Sequence, residues 1–133
     1  GAHRSEALGY LSGLPLGDDP LATFRANADE QIAAFSGPGA MERIVEHPMG
    51  DLPGSKVIQF RIGDLTLHTW DLARAIGGDE ELPQPLVAAV WAEMEPLRDN
   101  IAMLGLFGEG PSGEVPDDAP LQTRLLDLVG RRP

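Results

Sequence analysis

Apolar positions recur along this chain at three- and four-residue steps, in runs separated by clusters of glycine and proline. Leu21, Phe24, Ala28, Ile32 and Phe35 form one such run. Asp19 and Pro20 place an N-cap and a first-turn proline ahead of it, and Ser36-Gly37-Pro38-Gly39 stops it. The spacing predicts a helix from Pro20 to about Phe35. Met41 to Glu46 has mixed periodicity, so Arg43-Ile44-Val45 reads either as a helical turn or as a short extended piece. The breaker-rich stretch 47–54 reads as a loop. Ser55 then caps a long helix running to about Ile76, closed by Gly77-Gly78. A further helix is expected from Pro83–Pro85, with Leu86, Val90, Met94, Leu97, Ile101 and Leu104 as its stripe. Pro96 lies inside that stripe and predicts a kink or two abutting helices. After a loop with glycines at 105, 108, 110 and 113, Asp118-Ala119-Pro120 opens a last helix that turns Leu121, Leu125, Leu128 and Val129 inward before Gly130. The pattern predicts an all-α, bundle-like fold in one domain spanning 1–133.

Within the long helix, Arg61, Asp64, His68 and Asp71 stand at i, i+3, i+7 and i+10 and share one narrow stripe. The other faces are aliphatic or aromatic: Ile58, Ile62, Leu65, Leu72 and Ile76 on one, Phe60, Leu67 and Trp70 on another. A helix apolar nearly all round is expected to be buried. A carboxylate and an imidazole buried there need a partner or a metal to offset their desolvation. Asp64 and His68, one turn apart, can address one ion, and Asp71 or Thr69 can orient His68 from behind. The alternative at these residues is a buried Asp–His hydrogen bond, or an Arg61–Asp64 ion pair that only organises the core.

Composition narrows the chemistry. The absence of cysteine excludes disulfides, thiolate metal sites and thiol nucleophiles within the chain, so a metal would be held by N and O donors, as zinc, nickel or iron can be. Ten basic against 21 acidic residues, a net charge of −11, argue against nucleic-acid binding. No apolar run is long enough to span a bilayer, and a soluble, cytoplasmic protein without membrane partners is expected. The scarcity of lysine, Lys56 alone, beside abundant Ala, Gly, Asp and Pro suggests a GC-rich bacterial genome. His47 reads as a solvated loop residue, and His3 lies in a terminal stretch that carries little weight. Trp70 and Trp91 read as core, Tyr10 as an anchor of the first residues. The glycines at 105–113 make no phosphate loop, since no Lys-Ser/Thr follows. The serines have no nucleophile-elbow context.

The run Asp64-x-x-x-His68-x-Trp70-Asp71-Leu72-Ala73-Arg74-Ala75-x-Gly77 closely resembles a signature of actinobacterial proteins related to mycothiol-dependent maleylpyruvate isomerase, within the DinB-like metal-dependent helical superfamily. The ending, Val115-Pro116-Asp117-Asp118-Ala119-Pro120-Leu121 through Gly130-Arg131-x-Pro133, is similar to the close of the same subgroup. The resemblance covers about residues 50–133 well and the first fifty more loosely. It implies a four-helix bundle in which three side chains hold a divalent metal. Two of them, at Glu-x-x-x-His or His-x-x-x-His in the family, map to Asp64 and His68. The third is a histidine of the first helix, which would lie just upstream of Gly1.

This chain differs in carrying the shorter Asp, and its bundle is expected to lack the first helix, with His3 as a distant stand-in. The resemblance implies a metal-dependent enzyme that uses a low-molecular-weight thiol such as mycothiol against an electrophilic substrate, with zinc favoured over nickel. Asp64 and His68 would be ligands, and Arg61 and Asp71 would serve the cofactor. The other reading is a non-catalytic helical domain that works through oligomerisation or partner binding. A missing bundle wall would leave apolar faces uncovered, so a homodimer with an isologous interface is expected.

Overall fold

The computed structural model describes residues 17–47 and 50–133. Tyr10, His3 and Met49 lie outside them. Among the described residues the chain is predominantly helical: α1 (Pro20–Ser36), β1 (Ile44–His47), β2 (Gly50–Pro53), α2 (Gly54–Ile76), α3 (Gln84–Met94), a 3₁₀ helix (Glu95–Leu104) and α4 (Leu121–Leu128). It divides into two compact units, Gly1–Gln59 and Phe60–Pro133, with the division inside α2.

In the first unit, Asp19 caps α1 as its sequence predicts, its Oδ1 accepting from the Ala22 N–H at 3.0 Å. No residue of α1 is buried, however, and Leu21, Phe24 and Ile32 of the expected inner face are exposed. The all-α expectation is corrected here. β1 and β2 pair antiparallel, with Ile44 opposite Pro53, Val45 opposite Leu52 and His47 opposite Gly50. Ile44 and Val45 are β-branched and favour the extended form, and Pro53 sits at the end of its strand, where a missing N–H is tolerated. Gly50 and Pro53, breakers of the expected loop, thus belong to a strand.

The start of α2 also differs from expectation. Its opening N–H groups are satisfied by backbone rather than by a serine hydroxyl: Gly54 donates to the Arg43 carbonyl and Ser55 to that of Met41, both at 2.9 Å. Gly54 is required because a Cβ there would overlap the Ala40 carbonyl.

The second unit holds the core. Leu67 and Trp70 of α2, Val87 and Val90 of α3, Ile101 of the 3₁₀ helix, and Leu125, Leu126 and Leu128 of α4 cluster with Leu82 and Val129. Complete burial of Val87, Ile101, Leu125 or Leu128 contributes about 1.5–3 kcal/mol each. Trp70 is core as expected. Trp91 packs at the margin, with the Arg124 and Arg98 guanidiniums 4.6 and 5.7 Å from its ring centre.

The expected stripe holds at Val90 and Met94 and fails at Leu86 and Leu97. Val87, Val90 and Met94 face in, while Leu86 and Leu97 are exposed. At Pro96 the chain changes from α to 3₁₀ geometry, as the proline predicts, because its ring cannot supply the next helical N–H. Past Pro96, Ile101 is in the core as expected, whereas Leu97 is exposed. Gly77 and Gly130, both at positive φ, end α2 and α4. In each case the following residue donates back five positions, Gly78 to Ala73 and Arg131 to Leu126, the pattern of a Schellman close.

Candidate functional site

α2 presents one face to the core and two to solvent. Gly63, Thr66, Leu67 and Trp70 are buried, whereas Ile62, Leu65, Leu72 and Ile76 are exposed. The expectation of a helix buried all round is therefore corrected, and the polar stripe shares this correction. Asp64 and His68 do not point into an enclosed cavity. Their side chains are 58% and 69% exposed. The physical reason is that α3 and α4 supply apolar partners for a single stripe of α2 only.

The structure sorts the stripe into two linked pairs. The Arg61 Nη1 donates to Asp64 Oδ2 at 3.3 Å, the ion pair anticipated as an alternative. His68 Nδ1 lies 3.0 Å from Asp71 Oδ2, so Asp71 is the residue that orients His68. Thr69, the other candidate for that role, instead returns its hydroxyl to the Leu65 carbonyl at 2.6 Å.

Sequence reasoning missed the third member of this group. Arg131 reaches Asp71 with two donors, Nε to Oδ1 at 3.0 Å and Nη2 to Oδ2 at 2.6 Å, a two-point grip on both oxygens. These hydrogen bonds from Arg131 hold the Asp71 carboxyl below the usual carboxylate range, against the opposing effect of partial burial, and His68 adds to the lowering. Asp71 is thus a carboxylate under all ordinary conditions and accepts only. Its contact with His68 requires the proton on Nδ1, which leaves the Nε2 lone pair for a ligand, a metal or a proton. Nothing in the local pattern links Arg131 to a residue 60 positions away.

Asp127 was missed as well. Its side chain is buried, accepts the Ser112 N–H on both oxygens at 3.2 Å and pairs with Arg132 Nη1 at 3.3 Å. The signal was present, since a lone acid interrupts the apolar run Leu125-Leu126-Asp127-Leu128-Val129. Its role is to hold the glycine-rich loop against α4. His47 lies at the end of β1 rather than in a loop.

Among the described residues no group of three or more His, Cys, Asp or Glu side chains could hold a metal ion. The stripe therefore offers two adjacent donors and an orienting carboxylate, a partial donor set. A cavity of about 170 Å³ in the first unit is lined by Phe35, Ala40, Val45 and Val57 with Arg43 at its side, and contains no acid, base or nucleophile. No described helix is long and apolar enough to cross a membrane.

No family model matches the chain, and no solved structure does. It is similar to two uncharacterized proteins of Mycobacterium tuberculosis, Rv0738 of strain ATCC 25618 / H37Rv and MT0763 of strain CDC 1551 / Oshkosh. Each is 31% identical over 103 residues, covering 77% of this chain and 53% of the relative. The chain spans about half the length of the curated relatives it matches.

Proposed function

We propose that this chain contributes the Asp64–His68 pair to a divalent-metal site in a helical enzyme resembling the mycothiol-dependent isomerases and transferases of the DinB-like class. The observation that carries the reading is the orientation of His68. Its Nδ1 is engaged by Asp71 at 3.0 Å on a ring that is 69% exposed, one helical turn from Asp64, which leaves the Nε2 lone pair for a ligand. A histidine ligand held by a carboxylate through its second nitrogen is the usual arrangement around zinc.

The described residues fit as part of such a site: two donors, with a third to come from chain beyond these residues or from a second copy. A bound zinc or nickel ion would hold a small thiol such as mycothiol as its thiolate, ready for an electrophilic substrate. Arg61 would neutralise Asp64 or meet a cofactor carboxylate, and Asp71 would keep His68 in the ligating tautomer. A bundle architecture and a cytoplasmic setting belong to the same proposal.

Two donors hold an ion weakly. Elemental analysis should therefore find little metal on the 133-residue chain. One equivalent is expected on a chain extended to the length of the relatives, and it should be lost in His68→Gln. No uptake by the longer chain would discard the reading. Tight binding of one equivalent by the 133-residue chain as a monomer would discard the incomplete-site argument.

A second reading, association through α2, is favoured by a different observation. Ile62, Leu65, Leu72 and Ile76 are 37, 50, 61 and 72% exposed along one face. A homodimer buried on that face is the form this reading takes.

A further inference from the structure

We propose that Arg131 is a positioning residue: its two-point grip on Asp71 fixes the carboxylate that holds His68 in the Nδ1–H form, with Nε2 open to solvent. The functional consequence rests on the reading of His68 as a ligand, but the lock itself stands on geometry alone.

The grip begins in the local fold of the C-terminus. Gly130 adopts φ +76°, and a Cβ there would overlap the Phe107 carbonyl, so glycine alone permits the turn. The turn closes with the Arg131 N–H on the Leu126 carbonyl at 2.8 Å. The Arg131 guanidinium is then held by Nη1 to the Val129 carbonyl at 3.1 Å, while Nε and Nη2 meet the two oxygens of Asp71. Arg131 is the most buried member of the trio, 18% exposed against 37% for Asp71 and 69% for His68. Order therefore passes outward from the partly buried cation to the exposed ring.

Two effects of Arg131 on the Asp71–His68 bond oppose each other. Its charge draws electron density from the carboxylate and makes Asp71 a weaker acceptor. Its fork stops the carboxylate rotating and presents Oδ2 to His68. The contact faces solvent, where charge effects are screened, whereas the loss of orientation is not. Ordering prevails, and removal of Arg131 should release the ring.

The test is long-range nitrogen–proton NMR on the ¹⁵N-labelled chain without metal, at alkaline pH where imidazoles are neutral. The His68 signals are identified by their loss in His68→Gln. The wild-type ring should be mainly Nδ1–H. Arg131→Gln should shift the tautomer ratio toward Nε2–H by about fivefold, the worth of one side-chain hydrogen bond. Asp71→Asn should do at least as much. Arg131→Lys, which keeps the charge but lacks the fork, should shift the ratio at least as far as Arg131→Gln, and it keeps the test decisive if Arg131→Gln fails to fold.

Arg132→Gln breaks the neighbouring contacts to Asp127 and the Gly110 carbonyl and should leave the ratio unchanged. An unaltered ratio in folded Arg131→Gln, or an equal shift in Arg132→Gln, would overturn the proposal. Metal uptake is scored separately. A shifted tautomer in a protein that takes up no metal at any length keeps the lock and discards the metal reading, and metal uptake with an unmoved tautomer does the reverse.

Discussion

Asp71 accepts from a residue three positions away on its own helix and from another 60 positions on, and its ionisation sets the stability of both contacts. Its folded-state pKa is depressed, chiefly by the Arg131 hydrogen bonds. A group depressed on folding contributes stability that is complete above its unfolded value and is lost as pH falls through the lower folded value. Wild type should therefore be more stable than Asp71→Asn at neutral pH, and the gap should close on acidification below about pH 4. Urea denaturation of both proteins across that range checks the sign; a gap that widened in acid would contradict it. Gly130 is the second single position with a sharp expectation. Alanine there meets both the positive φ and the Phe107 carbonyl, and should cost at least about 1–3 kcal/mol by the same measurement.

Helix identity was legible where periodicity and punctuation agreed. The Asp19 cap, the glycine ends of α2 and α4, and the break at Pro96 all follow from local chemistry and stand where the sequence places them. Faces were less legible. In α4 the inward set Leu121, Leu125, Leu128 and Val129 is as expected, because one apolar stripe meets one core. Leu125→Ala should cost about 2–5 kcal/mol, since the site is closed on all sides and collapses poorly. Along α3 and the 3₁₀ helix Val90, Met94 and Ile101 face in as expected while Val87 takes the place of Leu86, and β2 was read as loop because proline and glycine mark strand ends as well as loops. In α1 no residue is buried, and the Asp19 cap is one of its local supports. Asp19→Ala should weaken that helix by about 1 kcal/mol, visible as faster amide exchange in α1 with unchanged protection in α4.

Charge and exposed apolar surface act in opposite directions on association. A net charge of −11 repels copies of the chain, while the outer face of α2 offers them a shared apolar contact. Salt screens the first, with a Debye length of about 10 Å at 0.1 M, and leaves the second. If α2 is an interface, light scattering at micromolar concentration should show a dimer that strengthens with salt. Leu65→Glu with Leu72→Glu should return it to a monomer. A wild-type monomer at all salt concentrations would remove the association reading.

Local rules acting within a few residues accounted for the helices, their ends apart from the start of α2, and the stripe of Arg61, Asp64, His68 and Asp71, because capping, proline geometry and the 3.6-residue period need no distant partner. Which face of α2 is buried, and which stripe residue holds which, depended on elements far along the chain. The Arg61–Asp64 and His68–Asp71 pairs were within reach of helical spacing, and only their choice over an Asp64–His68 pairing required coordinates. The Arg131 grip had no precursor in the pattern. It arises because the Gly130 turn returns the last residues of the chain to α2, and a contact made by chain return has no period to betray it.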